Sequence, residues 1–170
     1  MMPPTEQIDP ERYLALVMAL AKEGNAKAQH NLGALYLKGL GVPNDPALAA
    51  EWFTKAGDQD EMQSQHNLGI LYLRGIGVPR DPRRAFVWFR RAALQGDSKS
   101  AHCLGSLYAE GVGVKQDLVR AYIWWSRAMP GVPEPLQEQI HQALDVLRTE
   151  LDPQSISYAE ERIHQVLSDE

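Results

Sequence analysis

The segment Gln29-His30-Asn31-Leu32-Gly33 returns as Gln65-His66-Asn67-Leu68-Gly69, and the step of 36 residues from Gly33 to Gly69 is taken again from Gly69 to Gly105. Tyr36, Tyr72 and Tyr108 keep the same step, as do Gly41, Gly77 and Gly113, Ala49, Ala85 and Ala121, and Trp52, Trp88 and Trp124. A chain built on such a period is restricted to few architectures. Each unit is too small to bury its own apolar face, so units must stack on their neighbours and form a continuous core along a line.

Each unit reads as two helices. The first, over about 27–38, carries Ala28, Leu32, Leu35 and Tyr36 at helical spacing and stops at Gly39, where glycine supplies the left-handed backbone that closes a helix. Gly39 and Gly41 then form a tight turn. The second helix opens at Asp45-Pro46, an acidic cap followed by proline in the first helical position. That pair recurs as Asp81-Pro82 and, one period upstream, as Asp9-Pro10, while Asp117 keeps the cap without the proline. Trp52, Phe53 and Ala56 mark the buried stripe of the second helix, matched by Trp88, Phe89 and Ala92 and by Trp124, Trp125 and Ala128. Gly33, Gly69 and Gly105 fall inside first helices, where glycine costs about 1 kcal/mol relative to alanine. Such a cost is offset if an aromatic of the paired helix packs over the bare backbone.

The register extends past the three full units. A lone second-type helix is expected from Asp9-Pro10 to about Glu23, a first-type helix without the glycine turn over 134–150, and a last helix from Asp152-Pro153 to about Leu167. The expected architecture is therefore all-α: a right-handed solenoid of nine helices in a single domain spanning 1–170. It divides into a half-repeat at 9–24, repeats at 25–60, 61–96 and 97–132, and a degenerate repeat with capping helix at 133–170. Tyr13 to Leu20 and Ile156 to Leu167 are expected to cover the two open ends, and a monomer is expected.

Composition narrows the partners. Of 170 residues, 44% are apolar and 23% charged, the balance of a folded soluble chain. With 17 Lys and Arg against 22 Asp and Glu, the formal charge of −5 offers no general grip on phosphate backbones, so nucleic acid is not an expected partner. The longest apolar run, 14–21, is too short to span a bilayer, and no membrane partner is expected. The single cysteine, Cys103, cannot form an internal disulfide, which suits the cytoplasm.

Candidate chemistry is sparse. Gly39-x-Gly41 lacks the third glycine and the preceding strand of a dinucleotide loop, so no cofactor is expected. His30, His66 and His102 recur at the repeat period, but stacked helices stand about 10 Å apart, too far for three ring nitrogens to converge on one metal. No Ser-x-x-Lys, Gly-x-Ser-x-Gly or His-Glu-x-x-His occurs. Cys103 beside His102 is not a nucleophile and base pair by itself, since adjacent helical residues point about 100° apart. Arg80, Arg83, Arg84, Arg90 and Arg91 crowd one second-type helix, either as a solvated face or as a surface for an acidic partner.

The pattern Ala28-Gln29-x-x-Leu32-Gly33-x-Leu35-Tyr36-x-x-Gly39-x-Gly41-Val42-x-x-Asp45-x-x-x-Ala49-x-x-Trp52-Phe53-x-x-Ala56, with its copies at 64–92 and 101–128, resembles the Sel1-like repeat family, relatives of the tetratricopeptide repeats. The resemblance covers roughly residues 9–129. It implies a scaffold or adaptor that binds another protein or peptide, and not an enzyme. It also implies an alternative, a hydrolase of cell-wall or β-lactam substrates, which here would need Cys103 or Ser106 activated by His102. Disulfide-rich secreted members of the family carry paired cysteines that this chain lacks.

By the same resemblance the first-type helices form a concave wall. With Leu32 and Tyr36 turned to the paired helix, His30, Ala34 and Leu37 point the opposite way, followed by His66, Ile70 and Leu73 and then His102, Ser106 and Ala109. Leu37, Ile70 and Leu73 are expected to be exposed apolar anchors in a groove, with Lys38 and Arg74 at its rim to meet a carboxylate of the ligand. Asn31 and Asn67 at the edge could bond either a bound peptide or the next repeat.

Overall fold

A computed structural model describes residues 9–163, which form nine α-helices and one short 3₁₀ turn. In chain order these are α1 (Pro10–Lys22), α2 (Ala26–Lys38), α3 (Pro46–Gly57), α4 (Met62–Arg74), α5 (Pro82–Leu94), α6 (Ser98–Glu110), α7 (Leu118–Ala128), the 3₁₀ turn (Met129–Gly131), α8 (Glu134–Glu150) and α9 (Pro153–Arg162). From α1 to α7 each helix packs on the next, giving the antiparallel pairs of an α/α solenoid. No strand occurs among the described residues.

The expected caps are present. Asp45 accepts from the Leu48 amide at 3.0 Å, and Asp9, Asp81, Asp117 and Asp152 cap their helices in the same way. First-type helices are capped by Asn25, Glu61 and Asp97 and end on Gly39, Gly75 and Gly111, whose φ values of 67°, 71° and 69° lie in the left-handed region. The turns also lock units together. A side chain on Gly77 would strike the Pro46–Ala47 backbone, and one on Gly113 would strike Pro82, so each turn seats on the start of the preceding second-type helix.

The core is organised by the mid-helix glycines. Phe53 lies over Gly33, Phe89 over Gly69 and Trp125 over Gly105, and a Cβ on Gly33 would come within 2.8 Å of the Phe53 ring. Phe53, Phe89 and the alanines around them, Ala49, Ala56, Ala85 and Ala92, are completely buried. The tryptophans at the edge of this stripe carry cations over their rings: Lys55 on Trp52, Arg91 on Trp88 and Arg127 on Trp124.

The ends depart from the regular pattern. At the start, the segment 13–20 packs on α2 through Val17, with Leu14 and Met18 beside it, while Tyr13, Leu16 and Leu20 of the same segment stand exposed. At the other end α8 keeps the register, with Ile140 and Leu144 buried like Leu104 and Tyr108, yet α9 lies against α7 rather than pairing with α8. His141 stands where Gly33, Gly69 and Gly105 admit an aromatic, so a second-type helix finds no bare backbone to close on. Instead Arg127 Nε donates to the Ile163 carbonyl at 2.8 Å and draws α9 onto α7. The expected extension of the last helix over 164–167 lies outside the described residues.

Candidate functional site: the inner face of α2, α4 and α6

Three parallel helices present one face in register. Its rows are Lys27, Gln63 and Lys99; His30, His66 and His102; Asn31, Asn67 and Cys103; Ala34, Ile70 and Ser106; and Lys38, Arg74 and Glu110. The histidine row is bound into the joints between units. His30 Nδ1 lies 3.2 Å from Glu61 Oε2 and 2.9 Å from Ser64 Oγ, and His66 Nδ1 lies 3.1 Å from Asp97 Oδ2 and 2.8 Å from Ser100 Oγ. A carboxylate only accepts, so these rings carry their proton on Nδ1. The same carboxylates cap the next helix through the Ser64 and Ser100 amides, at 2.6 and 2.9 Å. Each joint is thus a closed triad of histidine, acid and serine.

These contacts tune the groups involved. Burial lowers the His30 pKa, against the pull of Glu61, and Lys27 lowers it further. Burial alone would raise Asp97, but hydrogen bonds from His66 and Ser100 outweigh it and hold the carboxyl down at about 2. His102 has no such joint. Its counterparts to Asp97 and Ser100 are Pro133 and Leu136, and burial alone lowers its pKa.

Two clefts open between the helices. One of about 280 Å³ is polar, lined by His30, Gln63, His66, Asn67, Asp97 and Lys99 together with Met62. The other, of about 320 Å³, has an apolar floor of Leu73, Leu107 and Val112 and a polar margin of Arg80, His102, Ser106 and Glu110. Lys27, Lys38, Arg74 and Lys99 are exposed on this face and have no ion-pair partner among the described residues. Against Glu61, Asp97 and Glu110 on the same face, these four cations leave a small positive excess on a chain of net charge −5.

The structure corrects the expectation of exposed apolar anchors. Leu37, Ile70 and Leu73 are half-buried and pack against the core, because adjoining first-type helices sit close enough to share them. Leu73 lines the apolar cleft. Ala34 and His30 are half-buried as well, whereas Lys38 and Arg74 are exposed. Asn31 and Asn67 make no bond to a neighbouring repeat among the described residues.

Sequence reasoning passed over the residues that do bond across repeats. Gln29 and Gln65 are buried, donate to the Ala21 and Gly57 carbonyls, and accept from Gln59 and Gln95 at 2.7 Å. Their signal was present in the repeated pentapeptide, as was that of Ser64 and Ser100 at the period.

Catalytic geometry is absent from the named candidates. Burial pushes the Cys103 thiol up to about 11, leaving it protonated at neutral pH. The Ser106 hydroxyl donates to the His102 carbonyl at 3.3 Å, not to a base. Among the described residues no group of three His, Cys, Asp or Glu could hold a metal, and no helix is long and apolar enough to cross a membrane.

The arginine cluster is largely engaged in structure. Arg91 bonds Asp58, Asp60 and the Gly57 carbonyl while stacking on Trp88, Arg84 pairs with Asp81 at 3.4 Å, and Arg80 Nε donates to the Leu73 carbonyl.

Comparison with known proteins agrees with this architecture. The Sel1 repeat family model matches residues 26–61, 63–97 and 98–128. A solved structure of a protective antigen from uropathogenic Escherichia coli, described as displaying an SLR fold, is 31% identical with a TM-score of 0.80, covering 94% of this chain and 33% of its own. A Sel1 repeat protein from Oxalobacter formigenes is 29% identical with a TM-score of 0.75, covering 91% of this chain and 64% of its own. The present chain therefore spans one third to under two thirds of the length of these relatives. Helicobacter pylori cysteine rich protein B shares the fold at 20% identity and a TM-score of 0.58, covering 75% of this chain and 95% of its own. No curated protein matches the chain.

Proposed function

The chain belongs to the Sel1 repeat family, and from that premise we propose that it is an adaptor that holds a protein or peptide segment against the inner face of α2, α4 and α6. The fold is commonly a protein-interaction scaffold and generally a non-enzymatic one. One observation carries the finer reading: two clefts, a polar one lined by Lys99 and an apolar one margined by Arg80, open on a face where Lys27, Lys38, Arg74 and Lys99 are exposed with no ion-pair partner among the described residues.

That chemistry selects the ligand. An apolar side chain fits over Leu73, Leu107 and Val112, and carboxylates of the same segment meet Arg74 and Lys99. The cytoplasm is the proposed compartment, supported by a lone cysteine whose thiol is buried and protonated. The test is affinity capture from a lysate with the chain and with an Arg74→Glu/Lys99→Glu variant, read by quantitative mass spectrometry. Both positions are exposed, so the variant keeps the fold. A partner captured by the parent chain and lost by the variant is the expected result, and equal capture by both would remove the inner face from consideration.

A further inference from the structure

The face of α1 that carries Tyr13, Leu16 and Leu20 has no counterpart in the later second-type helices. One period on, the residues matching Tyr13 are Ala49, Ala85 and Ala121, and those matching Leu20 are Ala56, Ala92 and Ala128. All six are 0% exposed, covered by the first-type helix of their own unit, whereas Tyr13 is 39% and Leu20 36% exposed. Leu16 between them is 56% exposed. Among the described residues no helix lies over this stripe.

The stripe does not suit another first-type helix. In α3 the order across the stripe is small, large, small, with Ala49, Phe53 and Ala56, and Phe53 fills the space above Gly33. In α1 the two small positions are taken by Tyr13 and Leu20, so a glycine-bearing helix would be held off at both ends, while Val17, the counterpart of Phe53, is already buried in the cluster it shares with Ala28 and Leu32 of α2.

A copy of α1 itself fits. Taking 100° per residue, Arg12, Ala19 and Glu23 border Leu16 on one edge of the stripe. Laid antiparallel and centred between Val17 and Met18, two copies set Arg12 level with Glu23 of the other, twice by symmetry, and set each Leu16 against Ala19 of the other. Bulk meets a small residue and positive meets negative at the same register. We propose that this face of α1 is the twofold interface of a homodimer, in place of the monomer expected from the sequence. The twofold keeps both inner faces outside the contact, since α1 contributes none of the residues of that face.

The association is weak. A helix of 13 residues is about 20 Å long and covers less than the roughly 1,600 Å² of a standard interface.

Sedimentation velocity on the full chain over about 1–500 μM tests the proposal, a range chosen for a dissociation constant of about 1–100 μM. The expected result is a reversible monomer–dimer equilibrium in that range. Leu16→Glu should weaken it at least about 10-fold with an unchanged thermal melt, because its side chain is solvated in the monomer. Arg12→Glu and Glu23→Arg should each weaken self-association several-fold, and an equimolar mixture of the two should recover it, since every cross-pair is then opposite in charge. A monomer at every concentration overturns the proposal. So does a dimer indifferent to Leu16→Glu, or an association that the mixture fails to restore, or growth beyond dimer, which would mean a head-to-tail contact instead of a twofold.

Discussion

The joint between α4 and α6 and the joint after α6 occupy equivalent positions and come out differently. In the first, His66 is bound by Asp97 and Ser100 of α6, where Gly105 admits Trp125. In the second, the positions that match Asp97 and Ser100 hold Pro133 and Leu136, and His141 replaces the glycine. The regular stacking ends there, with α9 diverted onto α7. Repetition of the helical pattern is therefore not enough to propagate the array. A unit must also bring a capping acid, a serine one turn later and a bare backbone for the aromatic.

The largest effect should come from the aromatic lid. Phe89→Ala removes a fully buried ring and should cost about 3–5 kcal/mol in urea denaturation, while Tyr158→Ala on exposed α9 should stay within about 0.5 kcal/mol. Equal losses at the two sites would erase the distinction between centre and end. Gly69→Ala should follow. The new methyl meets the Phe89 ring at 2.5 Å, an overpacking cost of about 1–3 kcal/mol partly offset by about 1 kcal/mol of better helix propensity.

Next come the joints. His66→Ala strands Asp97 and should cost about 1–3 kcal/mol, whereas His102→Ala breaks no bonded triad and should cost less than half of that. A double-mutant cycle with Asp97→Asn separates the coupling from the burial, and an additive result would mean that the triad contributes nothing.

The pH dependence is the smallest effect and has two windows. His30 and His102 have lowered pKa values, so the unfolded chain takes up protons first, and stability should decline as pH falls below about 6.5. Asp97 works in the acid range. Its pKa of about 2 against 3.8 gives stability that is full above pH 3.8 and lost as pH falls toward 2, at most about 2 kcal/mol before solvent screening. Urea midpoints at pH 7.5, 5.5 and 3 read both windows, and His66→Ala should flatten the acid one.

Much of this was legible in the residues. The period, the aspartate caps and the glycine stops located eight of the nine helices, because caps and stops are local chemistry and the copies reinforce one another. Helix α8 was readable from its proline entry and apolar spacing. Partnership was harder to read. Spacing told which way Ile70 and Leu73 point but not how near the next helix stands, so half-buried joints were read as open anchors. The histidine row was recognised at the period, and its acid and serine partners were not, since they lie 31 and 34 residues away and meet only when units stack. Tyr13 and Leu20 show the same limit. They lie in the segment expected to cover the open end, and while Leu14, Val17 and Met18 of that segment pack on α2, Tyr13 and Leu20 stay exposed.

The most direct measurement of the functional claim is hydrogen exchange followed by mass spectrometry on the chain with and without a captured partner. The inner-face account predicts slower exchange in α4 and α6 on binding and no change in α8 and α9. Slowing confined to α5, or to α8 and α9, with α4 and α6 untouched, would contradict it.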